Sequence, residues 1–239
     1  MPYDVKYYFE SSVITNAITY ADPWDWDAGG SCYNLKTVRE VSAQGNFSFP
    51  ISNPTSPWLA CLGQWISAAR AGRTWTPADT FDVVFVGYEN DGALNASLYV
   101  IIRVLDSTLT TVRGTLYAGN VNTVEWDVDN YFSRRHADGI AIQNTVVEQA
   151  GDKLVIEVGV KCLCSTTGYS SRVYCGTSNG VDLALSDADN IENPPTSDPW
   201  IGFTYGAGAP SPIGPAGAIV SAEDVDGAAM MRGTIQSEV

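Results

Sequence analysis

Apolar and polar residues alternate along most of this chain with a period of two, and no stretch carries the three-to-four spacing of a long helical stripe. The most regular run is Lys153–Cys162. Leu154, Ile156, Val158, Val160 and Cys162 fall on one side of it, and Lys153, Val155, Glu157, Gly159 and Lys161 on the other. Such alternation predicts a strand with one face on a core. Comparable runs predict strands at 5–9, 13–20, 58–66, 81–88, 97–105, 112–117, 140–148, 171–175 and 200–205. About ten strands at this spacing exceed one half-buried sheet, so the expected fold is all-β, a β-sandwich or jelly roll. Ala150, Gly151 and Asp152 supply turn chemistry, which predicts a hairpin between 140–148 and 153–163. A second hairpin is expected between 81–88 and 97–105, around Glu89, Asn90, Asp91 and Gly92.

Two segments break the pattern. Residues 22–57 are rich in Gly, Ser, Asn, Pro and aromatics, including Trp24, Trp26, Phe47 and Phe49, and read as a long structured loop or flap within a sandwich domain spanning 1–205. From Gly206 the chain turns to Gly, Ala and Pro, then to a small-residue tail. A segment of that composition buries too little surface to fold alone, so 206–239 is expected to be an extended arm. Its apolar and proline positions, Pro210, Pro212, Ile213, Ile219, Val220, Met230 and Met231, are the candidate partner contacts.

Composition narrows the partners. At 239 residues with 45% hydrophobic content, the chain is long enough to bury a core. Its net charge of −14 argues against sustained contact with nucleic-acid backbone. The one basic cluster, Arg134, Arg135 and His136, reads as a solvated loop. Residues 1–10 lack a basic n-region, and no run of roughly twenty apolar residues occurs, so neither a secretory leader nor a membrane span is expected. Five cysteines, Cys32, Cys61, Cys162, Cys164 and Cys175, are an odd set in a chain that needs no staple, and read as buried apolar thiols of a protein made in a reducing cytoplasm.

Candidate chemistry is thin. Gly176-Thr177-Ser178-Asn179-Gly180 matches the nucleophile-elbow spacing, but no convincing helix follows, and His136 precedes the serine where a hydrolase places it last. Carboxylate pairs for glycoside hydrolysis are available at Glu125, Asp127 and Asp129, or at Asp152 and Glu157, in a chain with 27 acids that offers many by chance. Asp187, Asp189 and Glu192, and likewise Asp22, Asp25 and Asp27, suggest oxygen-ligand calcium sites but miss the EF-hand pattern, so solvated turns are the simpler reading. No catalytic residue, cofactor or metal is therefore assigned. Trp24, Trp26, Trp126 and Tyr131 are the candidate stacking platforms if the chain is instead a carbohydrate-binding module.

An ordered set of phrases resembles a group of tailed-bacteriophage structural proteins. It comprises Ile101-Ile102-Arg103-Val104, Thr111-Val112-Arg113-Gly114-Thr115-Leu116, the run 150–159, Thr166-Thr167-Gly168-Tyr169, Tyr174-Cys175-Gly176-Thr177 with Asp182-Leu183, and Asp198-Pro199-Trp200-Ile201-Gly202-Phe203. The resemblance spans about 58–205 and implies a β-sandwich virion component without catalytic residues. The chain is too small for a major capsid protein of the usual mixed fold, so a capsid decoration or collar or tail appendage is expected, docking on capsid, collar or tail subunits and forming a homo-oligomer such as a trimer.

Overall fold

The computed structural model describes residues 3–15, 18–27, 29, 32–39, 45–50, 57–126, 132–163, 170–176, 181–191 and 197–206. The fold is all-β: among the described residues there are fifteen strands and no helix. They are β1 (Val5–Thr15), β2 (Trp26–Asp27), β3 (Cys32–Lys36), β4 (Gly45–Pro50), β5 (Trp58–Ser67), β6 (Arg73–Trp75), β7 (Thr80–Glu89) and β8 (Ser97–Leu105). After these come β9 (Val112–Asn120), β10 (Phe132–Ala141), β11 (Val146–Glu148), β12 (Lys153–Cys162), β13 (Ser170–Cys175), β14 (Ala188–Ile191) and β15 (Trp200–Thr204).

One mixed sheet runs β14-β10-β7-β15-β1-β3-β5-β12-β8-β9, with β13 and β4 continuing from β7 and β2 beside β5. Most pairs are antiparallel; β2 and β3 run parallel to β5. The sheet curls into a sandwich because β1 serves both halves. Its residues Val5 to Tyr8 pair with β15, and Tyr8 to Thr15 pair with β3 across two register shifts. Irregularities of this kind let a strand turn from one layer to the other. Phe9 sits at that corner, with its ring 4.5 Å from Phe85 of one half and 5.3 Å from Trp65 of the other. The core between the halves joins Phe81, Val83 and Phe85 of β7 to Ile102, Val104, Ile156 and Val158 of β8 and β12.

Several expectations change. The inward side of β12 is buried as predicted, but Val155 and Glu157 on its other side are also fully buried. The strand is central and covered on both faces. Neither expected hairpin forms: β12 pairs with β5 and β8, while β11 pairs with β6 in a separate two-stranded sheet. Gly151 does turn the chain, at φ 93°, but this turn is a corner held to Arg70 by Gly151 N–H···O and Arg70 N–H···O=C of Asp152. Likewise β7 pairs with β10, β13 and β15 while β8 pairs with β12 and β9, so the link between them crosses layers. Residues 22–57 are more than a loop, since they contribute β2, β3 and β4. The basic run Arg134 to His136 lies within β10, with Arg135 buried.

Candidate functional site

The outward face of β5, β12 and β8 carries a polar cluster centred on Glu157. Gln64 is its direct cross-strand partner, and Arg103 pairs with Val155, one diagonal away. Cross-strand and diagonal neighbours on one face are within reach of long side chains. All three are buried. Glu157 accepts from Gln64 Nε2 at 2.9 Å and from Arg103 Nη2 in a short ion pair.

What buries them is the segment 18–24, a strap tied down by the same three side chains. Ala21 N–H donates to both Glu157 oxygens, at 3.1 and 3.2 Å, and the Trp24 indole N–H to Oε2 at 2.6 Å. Ile18 N–H donates to Gln64 Oε1 at 3.0 Å, and Arg103 Nη2 donates to the Thr19 carbonyl at 2.9 Å. Trp24 packs edge-on to Tyr99 and lies over Gly159, where a Cβ would stand 2.8 Å from the indole and 2.0 Å from the Ala60 carbonyl. Glycine there admits the ring. Cys61, beneath the strap, has its thiol pushed up by burial, as does Cys32, so neither is a thiolate nucleophile at neutral pH.

Beside the strap opens a groove of about 850 Å³, walled by Ile18 to Asp22 on one side and by Leu105, the turn around Leu109, and Val112 on the other. That turn is firmly set. Asp106 Oδ1 accepts from Thr108 Oγ1 and from the N–H groups of Thr110 and Thr111, and Leu109 holds φ 64°. Desolvation acts upward on the Asp106 carboxyl, but the Thr111 and Thr110 amides outweigh it and hold the pKa at about 2.

A second cluster marks the point where the chain leaves the sheet. Tyr205 N–H donates to Asp4 and Gly206 N–H to Asp79 Oδ1, at 2.7 and 2.8 Å. Asp79 also accepts from Arg73 at 2.8 Å and from Thr76 N–H at 2.7 Å, and the Arg73 guanidinium stacks 3.4 Å from the Tyr205 ring. Alongside, Arg70 pairs with Glu148 and Tyr7, and Trp75 Nε1 donates to Glu148 at 2.8 Å. Burial raises the Glu148 carboxyl above the ordinary glutamate range against the pull of Arg70, and takes the Tyr7 hydroxyl up to about 12.

The acidic turn and the basic run of the sequence meet one another. His136 Nδ1 and Asp187 Oδ1 are 2.7 Å apart, His136 N–H donates to the same oxygen, Arg135 pairs with Asp189, and Arg134 binds Ser186. This clamps 186–189 to β10. Asp25 and Asp27 accept from the N–H groups of Leu59 and Gly29. Among the described residues no cluster of three or more potential metal ligands occurs. Glu192, Asp127, Asp129, Ser178, Cys164 and Tyr131 lie outside the described residues, as do all the candidate arm contacts from Pro210 to Met231. The four described cysteines are buried, and Cys162 faces the core.

Of the candidate stacking rings, Trp126 is only 1% exposed and packs on Gly87, so it presents no face to a sugar. Trp24 is half-buried with its N–H engaged, and Trp26 packs against the core. The Glu157 cluster was not singled out from the sequence. Its signal was present, in single polar residues interrupting apolar strands: Gln64 in Leu62-Gly63-Gln64-Trp65, Arg103 in Ile102-Arg103-Val104 and Glu157 in Ile156-Glu157-Val158.

No protein-family model matches this chain, and no curated protein matches it. Among solved structures it is similar to that of the infectious bursal disease virus Gx strain, at 9% identity and a TM-score of 0.29, covering 83% of this chain and 43% of that one. It is also similar to a CocE/NonD family hydrolase from Staphylococcus aureus, at 9% identity and a TM-score of 0.27, covering 86% of this chain and 34% of that one. This chain thus spans less than half the length of either. At these scores neither likeness carries an argument.

Proposed function

We propose that this protein is a structural, non-enzymatic component of a bacteriophage particle, an accessory capsid decoration or a collar or tail appendage, which docks on neighbouring subunits through its sandwich and the arm beyond Tyr205. The observation that carries the reading is the arm's root. Asp4, Asp79 and Arg73 fix Tyr205 and Gly206 to the sheet, so the 33 residues that follow start from a rigid point. A tail rich in Gly, Ala and Pro gains affinity by wrapping a partner, and its ordering entropy is spent only on assembly.

The Glu157 cluster supports the same reading. Its carboxylate oxygens accept from Gln64, Arg103, Ala21 and Trp24, which stiffens the sheet and leaves little capacity for proton transfer. The resemblance of the ordered phrases to phage structural proteins adds to it. The test is a chain ending at Gly206, produced alongside the full chain in the assembling host. The expected result is a folded, soluble protein, shown by an unchanged circular dichroism spectrum, that is missing from purified particles. Normal incorporation of the shortened chain overturns the arm's role.

A further inference from the structure

The groove beside the strap lies on the outer side of the β5, β12, β8 half, whereas the arm's root is on β15, in the other half. We propose that this groove receives residues 207–222 of a neighbouring copy of the chain, an inference that rests on reading the tail as an assembly arm.

Three features select that occupant. The first is charge. The chain carries a net −14, so an acidic segment laid on its surface is repelled, and 207–222 is a stretch of the tail with no charged side chain. The second is chemistry. Arg103 lines the groove but is already neutralised by Glu157, so the site does not call for a free anion. Thr19, Thr108, Thr110 and Thr115 also line the walls, with the Thr108 and Thr110 hydroxyls engaged by Asp106. Walls of threonine and aliphatic side chains suit an uncharged peptide over an ionic ligand, and 207–222 supplies one, with Pro210, Pro212 and Pro215. Its prolines also lower the entropy lost on docking. The third is shape and reach. Ile213, Ile219 and Val220 match the aliphatic wall of Ile18, Leu109 and Val112, the intervening Gly and Ala residues allow close backbone approach, and sixteen extended residues span about 50 Å.

The test uses full-length chains, each also carrying Cys164→Ser. One bears Thr110→Cys at the groove rim and the other Ala216→Cys in the arm; the described native thiols are buried. On mild oxidation, the mixture is expected to give a disulfide-linked dimer whose 110–216 link is identified by mass spectrometry, in at least about tenfold higher yield than either chain alone. Adding Val112→Asp, at a half-exposed groove position, is expected to reduce that yield about tenfold without changing the melting temperature. Absence of the 110–216 link, or its indifference to Val112→Asp, overturns the proposal. The two readings separate cleanly. No link, combined with loss of particle incorporation on deleting 207–239, overturns the groove docking alone. A link, combined with normal incorporation of the deletion chain, upholds the docking and overturns the arm's role in incorporation.

Discussion

Glu157 shows how one buried charge organises its surroundings. Removing it strands the Arg103 guanidinium inside the protein and frees the strap's Ala21 and Trp24 together. Glu157→Ala is therefore expected to cost about 3–5 kcal/mol in urea unfolding, in the range for breaking a buried pair, and to alter Trp24 fluorescence. Glu157→Gln, which keeps the shape and one acceptor, is expected to cost less. Asp187 gives a pH signature. Burial pushes its carboxyl up, but the side-chain and backbone bonds from His136, with the Asn122 amide, outweigh that and hold it below the ordinary aspartate value. A depressed folded pKa means that the clamp's stability is present above the unfolded value of about 3.9 and is lost as pH falls through the folded one. Asp187→Asn is expected to flatten the stability profile below about pH 4, measured by denaturation at a series of pH values; an unchanged profile would show that the clamp adds nothing.

Strand faces were legible from alternation, and strand partners were not. Leu154, Ile156, Val158 and Val160 face the core as their spacing requires, yet the turn at Gly151 leads into a corner and not a hairpin. A turn residue reports how the backbone bends, and the same bend serves whether or not the flanking strands pair. The free edge of the sheet is equally silent in sequence. β9 is the last strand, and its outer groups are capped by side chains: Gln143 exchanges two bonds with Ala118, at 3.0 and 3.3 Å, and Asn144 donates to the Thr115 carbonyl at 2.9 Å. An amide that imitates a strand blocks edge pairing. Gln143→Ala is expected to lower stability by about 0.5–1.5 kcal/mol and to raise self-association in light scattering. At β12, Gly159→Ala drives a methyl into the Ala60 carbonyl and Trp24, and is expected to cost about 1–3 kcal/mol as over-packing.

For the molecule as a whole, the described core is built from residues between Tyr7 and Phe203. Deleting 207–239 is therefore expected to move the urea midpoint by less than about 0.5 kcal/mol of stability while abolishing assembly; a larger loss would make the tail part of the fold itself. The curled sheet also explains why the strap exists. A sandwich with one solvated outer face needs no cover, but Val155, Ile66, Cys32 and Leu105 form a separate apolar cluster on the outer side, which Ile18 and Leu109 help to close.

Period-two alternation was enough to establish an all-β protein and the inward face of its strongest strand, because side-chain direction is set locally by the pleat. Which strands neighbour one another, that β1 turns between the two halves, and that Glu157, Gln64 and Arg103 converge under a strap depend on contacts between residues far apart in the chain: Trp24 meets Glu157 and Gly206 meets Asp79 only after the sheet has curled. Local pattern carries no information about that closure, since long-range pairing is selected by how the whole sheet packs.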